Sequence, residues 1–229
     1  MKVDLHCHCN PGSQCATIAP EEAPALLKEK GIDGMVLTNH CYPRHCNSLS
    51  PDIKEQPKRY VEVFHRVKAA GDALGVKVFF GAEVTLINES KKMEFLLYGL
   101  SEQDFLDSFP LYTYTQKELF DYCNQKDILM VQAHPFRDEQ GYSPADPRYM
   151  HGLEALNAHL NFADHFEEAC RLAAENQLII TGGSDFHYPQ QAGDGGMILP
   201  DTIEDQFMLR DYLRSQPPRF YRKGKEFQY

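Results

Sequence analysis

The chain opens with MKVDLHCHCN (residues 1–10), in which a short apolar segment runs directly into His6 and His8. Side chains alternate between the two faces of a strand, so both imidazoles share one face while Cys7 and Cys9 point elsewhere. Four later strand-like runs also end in an imidazole or a carboxylate. They are MVLTNH ending at His40, VFFGAE ending at Glu83, MVQAH ending at His134, and LIITGGSDFH ending at Asp185 and His187.

Around these runs, the sequence alternates between apolar segments and amphipathic stretches. Strands are predicted at residues 3–6, 34–38, 76–83, 94–98, 128–133, 153–156 and 178–182, and helices at 20–30, 56–74, 115–125, 163–176 and 201–214. Stretches such as AAGDALGVKVFF place glycine between a helix and the next strand, a common helix stop. Strands that alternate with helices predict a parallel α/β sheet, and about seven strands favour a barrel over an open sheet.

Length and composition fit one globular domain spanning residues 1–229. The chain contains 42% apolar and 24% charged residues, which is ordinary for a folded domain. The segment QPPRFYRKGKEFQY (216–229) is basic, aromatic and non-helical. It is predicted to be a closing strand or hairpin, with a partner-binding tail as the alternative.

The net charge of −10 argues against broad contact with nucleic acid, which requires a basic face. A small phosphorylated substrate is compatible with this charge. No apolar run approaches the ~18 residues of a membrane span, and no signal-peptide region precedes Asp4. We therefore expect a cytoplasmic protein with no membrane partner, whose seven cysteines are reduced thiols. The oligomeric state is left open.

The strand-end residues predict a metal centre. The C-terminal ends of parallel barrel strands converge on one face, so these residues would meet there. Imidazole together with carboxylate suits zinc, manganese or iron. Seven or more candidate ligands exceed the needs of one ion and imply two or three divalent ions. Paired ions of this kind stabilise the attacking and leaving oxygens of phosphoryl transfer.

The motifs DLHCH, LTNH, GAEV, AHPF and GSDFH, in this order, resemble the PHP (polymerase and histidinol phosphatase) family of metal-dependent phosphoesterases, over residues 1–187. The resemblance implies a distorted seven-stranded (β/α) barrel with a di- or trinuclear centre. It further implies that Asp4 orients an imidazole. The implied ligands are His6, His8, Glu83 and Asp185 for the first ion, His40 and His187 for the second, and the bridging Glu83 with His134 for the third.

Three departures from the family pattern stand out. The loop CNPGSQCATIAPEEA lacks the Asp or His that commonly completes the second ion, and Ser13, Gln14 or Cys15 lies near that place. In KKMEFLLYGL, Glu94 stands where many members have a histidine, so it is either a ligand of the third ion or a solvated carboxylate. TNH replaces the commoner TDH, so that Asn39 keeps a hydrogen-bonding side chain but loses a charge.

Two arginines are candidates for phosphate binding. Arg137 follows His134 in AHPFR, and Arg44 follows His40 in NHCYPRH. A planar guanidinium binds phosphate through paired hydrogen bonds, whereas the alternative for each arginine is a surface ion pair. Asn157 and His159 could line the same opening.

The predicted activity is metal-dependent hydrolysis of a small phosphorylated metabolite, most similar to a histidinol phosphatase. A hydroxide between two ions would attack phosphorus, and His187 or a metal-bound water would protonate the leaving oxygen. A nuclease or a cyclic-phosphate or nucleotide phosphodiesterase of the same family is an alternative. An amidohydrolase with a carbamylated lysine is disfavoured because no lysine ends a strand suitably. The alternative of another class is a non-catalytic, metal-bound ligand-binding or regulatory module.

Overall fold

A single curled β-sheet carries the polar strand ends, and the computed structural model describes all 229 residues. The strands are β1 (Lys2–Cys7), β2 (Gly34–Leu37), β3 (His40–Cys41), β4 (Lys77–Thr85), β5 (Glu94–Tyr98), β6 (Leu129–Gln132), β7 (Gly152–Asn157), β8 (Ile179–Gly183), β9 (Gly195–Ile198), β10 (Arg219–Arg222) and β11 (Lys225–Gln228). The strand order is β11-β10-β9-β1-β2-β4-β5-β6-β7-β8, and β3 pairs with β4 beside this path.

The sheet curls far enough for its two distant parts to meet. Phe186, just beyond β8, forms a parallel bridge with Cys7 at the end of β1. The His8 N–H donates to the Phe186 carbonyl at 2.9 Å, and the Phe186 N–H donates to the His6 carbonyl at 3.0 Å. This closure brings the HCH and SDFH motifs together.

The expected α/β, barrel-like fold is confirmed, but the count of seven strands is wrong. All seven predicted segments contain a strand, and β3, β9, β10 and β11 are additional. The sheet is also not entirely parallel, since β5 runs antiparallel to β4 and β6. A short loop joins β4 to β5 where a parallel crossover would need a longer connection, so the chain turns back. Residues 216–229 contain the hairpin β10–β11, which extends the sheet through β9.

Seven helices surround the sheet, and none is both long and apolar enough to cross a bilayer. They are α1 (Ala23–Glu29), α2 (Pro43–Leu49), α3 (Gln56–Leu74), α4 (Glu102–Ser108), α5 (Gln116–Gln125), α6 (Phe166–Asn176) and α7 (Gln206–Ser215). The longest, α3, has its predicted bounds and ends at Gly75, whose φ of 71° is a conformation that favours glycine. The short helices α2 and α4 were not predicted from the sequence.

Candidate metal centre

His6 at the end of β1 is oriented by a carboxylate from β7. Its Nδ1 lies 2.8 Å from Glu154 Oε1, and a carboxylate can only accept, so Nδ1 carries the hydrogen. In the neutral ring, Nε2 then keeps its lone pair. Nε2 is buried and has no hydrogen-bond partner. A histidine held in this way is prepared to bind a cation through Nε2.

His8 has the same arrangement with a hydroxyl as its partner. Ser13 Oγ donates to Asn39 Oδ1 at 3.0 Å, so it accepts from His8 Nδ1 at 2.9 Å. The Nε2 atom of His8 is therefore open, and it too is buried without a partner. Asn39 Oδ1 also accepts the Cys9 N–H at 2.9 Å, so the residue that replaces aspartate keeps a supporting role.

The other residues of the opening motif face away from these lone pairs. Cys7 and Cys9 belong to the main hydrophobic core, as the alternation predicted. Asp4 does not contact an imidazole, which corrects its expected role. Its Oδ1 accepts the backbone N–H groups of Ser184 at 2.9 Å and His6 at 3.2 Å, so it fixes the β1–β8 closure instead.

Glu83, within β4, lies between two groups of histidines. Its Oε1 lies 3.1 Å from His134 Nε2 and 3.4 Å from His6 Nε2. Its Oε2 lies 2.7 Å from His40 Nδ1 and 3.4 Å from His8 Nε2. One carboxylate oxygen therefore faces each group, which is the placement that a bridging ligand requires.

Asp185 directs its two oxygens to different partners. Oδ1 lies 3.5 Å from His6 Nε2 and 3.4 Å from His8 Nε2, whereas Oδ2 accepts from Arg137 Nη2 at 2.8 Å. His187 donates Nδ1–H to the Asp185 carbonyl at 2.8 Å, which leaves its Nε2 available. Asp185 (φ 55°) and His134 (φ 30°) adopt backbone conformations that non-glycine residues rarely occupy. Such strain is often concentrated at functional sites.

Glu94 lies at the start of the antiparallel β5 and so reaches the same end of the sheet as the carboxyl end of β4. It is 5% exposed, which excludes the solvated alternative. Its Oε1 accepts from Thr85 Oγ1 at 2.7 Å, and its Oε2 lies 3.5 Å from His134 Nε2. This position is compatible with a ligand role, which remains a prediction.

The donor atoms fit divalent metal ions. Ligands of a tetrahedral zinc ion at ~2.0–2.1 Å are ~3.3 Å from each other. The Nε2 atoms of His6 and His8 lie 3.4–3.5 Å from the facing oxygens of Glu83 and Asp185. The clusters whose donor atoms all lie within 4.8 Å of one another include His6–His8–Asp185, His8–His40–His187 and His6–Glu83–His134. The structure thus brings together the ligands expected from the sequence.

Charge within the cluster also favours cation binding. Burial alone would raise the pKa of the Glu83 carboxyl, but the imidazoles of His40 and His6 hold it well below its usual range. Burial would likewise lower the pKa of His6, yet Glu154, Asp185 and Glu83 raise it well above its usual value. The carboxylates around His6 therefore form an anionic environment that favours a bound cation.

Arg137 is buried and not part of a surface ion pair. Its Nη2 donates to Asn157 Oδ1 at 2.7 Å and to Asp185 Oδ2 at 2.8 Å, and its guanidinium stacks on Phe162 with 4.5 Å to the ring centroid. These contacts position Asp185. Asn157 lies behind this pair, since its Nδ2 donates to Glu154 Oε2 at 2.8 Å.

The cluster forms part of the wall of an open cavity of about 720 Å³. Arg44, Lys91 and Lys92 contribute exposed cations to this cavity, and Arg137 and His159 also line it. Cys15 lies at the same wall. Partial burial would raise the pKa of its thiol, but hydrogen bonds with His187 and His40 outweigh this effect and lower the pKa to about 6.

Sequence reasoning missed Glu154 and the two lysines. Glu154 is a glutamate in the middle of a fully buried strand, GLEALN, and a charged residue in such a strand usually has a partner that requires it. That signal could have identified it. Lys91 and Lys92 lie on a polar loop, and nothing local distinguishes them from ordinary surface lysines.

Comparison with known proteins shows which solved structures share this fold. No family model and no curated protein matches the sequence. A two-domain protein from Bacteroides vulgatus, which contains a predicted PHP-like metal-dependent phosphoesterase, matches with 22% identity and a TM-score of 0.69 over 96% of this chain and 64% of that protein. This chain therefore spans slightly less than two thirds of that neighbour.

Two other solved structures share the fold. An amidohydrolase from Chromobacterium violaceum matches with 13% identity and a TM-score of 0.61, over 97% of this chain and 98% of that one. The lesion-specific endonuclease PfuEndoQ from Pyrococcus furiosus matches with 17% identity and a TM-score of 0.57, over 93% of this chain and 55% of that one. The structural neighbours agree with the motif resemblance, and the chain has the fold of the PHP-like metal-dependent phosphoesterases.

Proposed function

We propose that this protein is a metal-dependent phosphoesterase that hydrolyses a small phosphorylated metabolite. The observation that carries the proposal is the pair of open, buried Nε2 atoms of His6 and His8, which face Glu83 and Asp185. A buried polar atom without a partner costs about 1–3 kcal/mol. Two such atoms, aimed at two carboxylates, are explained by ions that bind all four residues.

The cavity supports a phosphorylated substrate. Arg44, Lys91 and Lys92 line it without an ion pair to a protein carboxylate, and Lys92 Nζ lies 4.1 Å from the Tyr142 ring centroid. These cations remain available for an anionic ligand. A volume of about 720 Å³ lies within the range of small-molecule sites. The overall charge of −10 favours a metabolite over a long nucleic acid.

The protein's own side chains hold the reacting groups in place. Bound divalent ions would lower the pKa of water and neutralise charge on the phosphoryl oxygens. Glu154 and Ser13 fix the ring orientations of His6 and His8, and Arg137 fixes Asp185. We assign His187 Nε2 to an ion in preference to the leaving group, because its Nδ1 is already bonded to a backbone carbonyl. Arg44 and Arg137 both line the cavity and remain the candidates that contact phosphate directly.

The finer parts of the proposal are two or three ions of zinc, manganese or iron, a monoester specificity like that of a histidinol phosphatase, and a cytoplasmic location. All seven cysteines are free, which supports a reducing compartment. Phosphodiester cleavage is the second candidate, and the fold shared with an endonuclease supports it. A carbamylated lysine is not supported, because both lysines on the cavity wall are exposed and Glu83 occupies the central position.

The test is metal content by plasma mass spectrometry together with hydrolysis of p-nitrophenyl phosphate in the presence of added manganese or zinc. We expect more than one ion per chain and turnover. In both His8→Ala and Asp185→Ala, turnover should fall by at least ~10–100-fold. That is the loss expected when a residue that only supports a metal ligand is removed. His65→Ala is the matched control, since His65 is exposed and contacts Glu102.

Fewer than one ion per chain after reconstitution, with no turnover, would overturn the phosphoesterase and favour a ligand-binding module. Turnover of bis-p-nitrophenyl phosphate without turnover of the monoester would favour the phosphodiesterase.

A further inference from the structure

The loop after β1 places a thiol at the edge of the candidate metal centre. The loop is anchored on both sides of this thiol, because the Ser13 N–H donates to the Cys9 carbonyl at 2.8 Å and the Thr17 N–H donates to the His187 carbonyl at 3.0 Å. Between these anchors, Cys15 Sγ lies 3.2 Å from His187 Nε2. Of the seven cysteines, Cys15 alone is exposed, and it lines the cavity.

Cys15 adjoins a group of imidazoles, one of which has a ring nitrogen without a protein partner. It forms a cluster with His40 and His45 whose donor atoms lie within 4.8 Å of one another, and His40 belongs to a second such cluster with His8 and His187. The rings of His8 and His187 are stacked, with centroids 4.1 Å apart. His8 Nε2 is fully buried and has no hydrogen-bond partner, and His8 shares with His40 and His187 a cluster whose donor atoms lie within 4.8 Å of one another. This open nitrogen indicates a cation site independently of the cysteine.

Hydrogen bonds distinguish the donors that can bind an ion from one that cannot. The Nδ1–H of His187 is donated to a backbone carbonyl at 2.8 Å, so in the neutral ring Nε2 keeps a lone pair, which faces Cys15 Sγ at 3.2 Å. His45 is different, because its Nδ1 accepts the Gln14 N–H at 3.0 Å and its other ring nitrogen must carry the hydrogen. His45 is therefore excluded as a ligand, and Cys15 is the remaining donor on this side.

We propose that Cys15, as a thiolate, is a ligand of the ion that His40 and His187 hold; this inference rests on the metal centre proposed above. On binding, the S–H bond breaks, its proton passes to the solvent, and a sulfur–metal bond forms. Thiolate is a soft ligand that suits zinc, whereas manganese and magnesium prefer oxygen. Cys15 thus occupies the place left by the absent Asp or His of the loop, and it makes this centre selective for zinc.

The experiment is reconstitution of metal-free protein with Co²⁺ under anaerobic conditions. A cobalt–thiolate bond gives a charge-transfer band in the near ultraviolet, whereas nitrogen and oxygen ligands give only the weaker visible bands. We expect the band in the wild type and in the control Cys170→Ala, whose cysteine is buried on α6. Cys15→Ser should lose the band and still bind cobalt, because the histidines and carboxylates remain.

Alkylation of the intact protein provides a second readout that needs no variant. Because the other six cysteines are buried, iodoacetamide should react first at Cys15. Zinc should slow this reaction more than tenfold.

The variant Cys15→Asp tests the choice of metal. It should bind zinc at least ~10–100-fold more weakly than the wild type, which is the loss caused by removing a residue that supports a ligand. It should bind manganese more tightly than the wild type does.

Bound cobalt without the near-ultraviolet band in the wild type, or alkylation at an unchanged rate with zinc present, would overturn the role of Cys15 and leave the metal centre intact. No bound cobalt in the wild type would overturn both proposals. Activity alone cannot separate these two outcomes, since turnover would change both if Cys15 were not a ligand and if no metal centre existed.

Discussion

His6 and His8 each depend on one hydrogen bond to the second ring nitrogen. His6 depends on Glu154, 148 residues away in the sequence, and His8 depends on Ser13. Glu154 Oε2 also accepts the His134 N–H at 3.0 Å, so one buried carboxylate orients two candidate ligands. The orientation of these histidines thus depends on their supporting residues as well as on the HCH motif.

Glu154→Gln should weaken metal binding while the fold is kept. Glutamine offers one acceptor oxygen where Glu154 uses both, so one of its donors loses its partner. We expect zinc affinity to fall by ~10–100-fold. The measurement is competition with a chromophoric chelator. Glu175→Gln, at an exposed position of α6, is the control, and equal affinities in the two variants would show that Glu154 does not orient His6.

At the scale of elements, the site depends on the close approach of β1 and β8. Gly183 permits it, because a Cβ at this position would lie 2.5 Å from His6 Cβ and 2.7 Å from His6 N. The reversed direction of β5 is equally important. It places the first residue of that strand, Glu94, at the same end of the sheet as the polar ends of its neighbours.

Gly183→Ala should force β1 and β8 apart. We expect a loss of about 1–3 kcal/mol in the free energy of unfolding, the usual cost of overpacking, together with weaker metal binding because His6 is displaced. Urea denaturation of the metal-free protein measures the first effect. Gly34→Ala on β2, where a Cβ would come no closer than 3.0 Å to another atom, should lose less. An unchanged denaturation midpoint in Gly183→Ala would contradict this account.

The junction between β6 and β7 should be sensitive to acid. His151 Nδ1 accepts the Met130 N–H at 3.0 Å, which only the neutral ring can do. Burial, assisted by Arg214, lowers the pKa of His151 from 6.5 to about 4. The unfolded chain therefore binds this proton first, so the stabilisation is complete above pH 6.5 and is lost as the pH falls towards 4.

Because this ring is partly exposed, solvent screens its charge, and the loss at low pH should be on the order of 1 kcal/mol. The urea denaturation midpoint should differ more between pH 7.5 and pH 5 in the wild type than in His151→Asn. The asparagine keeps a hydrogen-bond acceptor but does not titrate. If both proteins lose the same stability between these pH values, His151 is not the group responsible.

At the scale of the whole molecule, the metal centre holds distant strands together. Its candidate ligands come from β3, β4 and β5, from the end of β1 and from the segments that follow β6 and β8, so an ion that binds them would cross-link the curled sheet.

Metal removal should therefore lower the thermal stability. At a free zinc concentration of 100 times the Kd, binding contributes about 2.7 kcal/mol. For a chain of this size, that corresponds to a decrease in Tm of about 5–10 °C when a chelator removes the ion. Scanning calorimetry with and without zinc measures the effect. His65→Ala should keep the shift and His8→Ala should lose most of it; a shift that is equal in both variants would place the bound ion elsewhere.

The sequence by itself determined which residues occupy strand ends, since apolar runs and the polar residues that stop them are local features. From these it indicated the α/β class, the barrel-like closure and the positions of His6, His8, Glu83 and Asp185. The assembled chain brings these four together. Their role as ligands remains a prediction, but their proximity followed from the convergence of parallel strands.

Only the tertiary structure decided how each of these residues is held. The partner of His6 is on β7, Cys15 meets His187 across 172 residues, and Arg137 donates to Asp185 through Nη2. The direction of β5 was likewise not encoded in any local pattern, whereas the hairpin β10–β11 lies where a closing strand or hairpin was predicted. The periodicity of apolar residues is a local feature and predicts which residues are buried. The hydrogen-bond partner of a buried residue depends on how the whole sheet closes, and that closure depends on contacts along the entire chain.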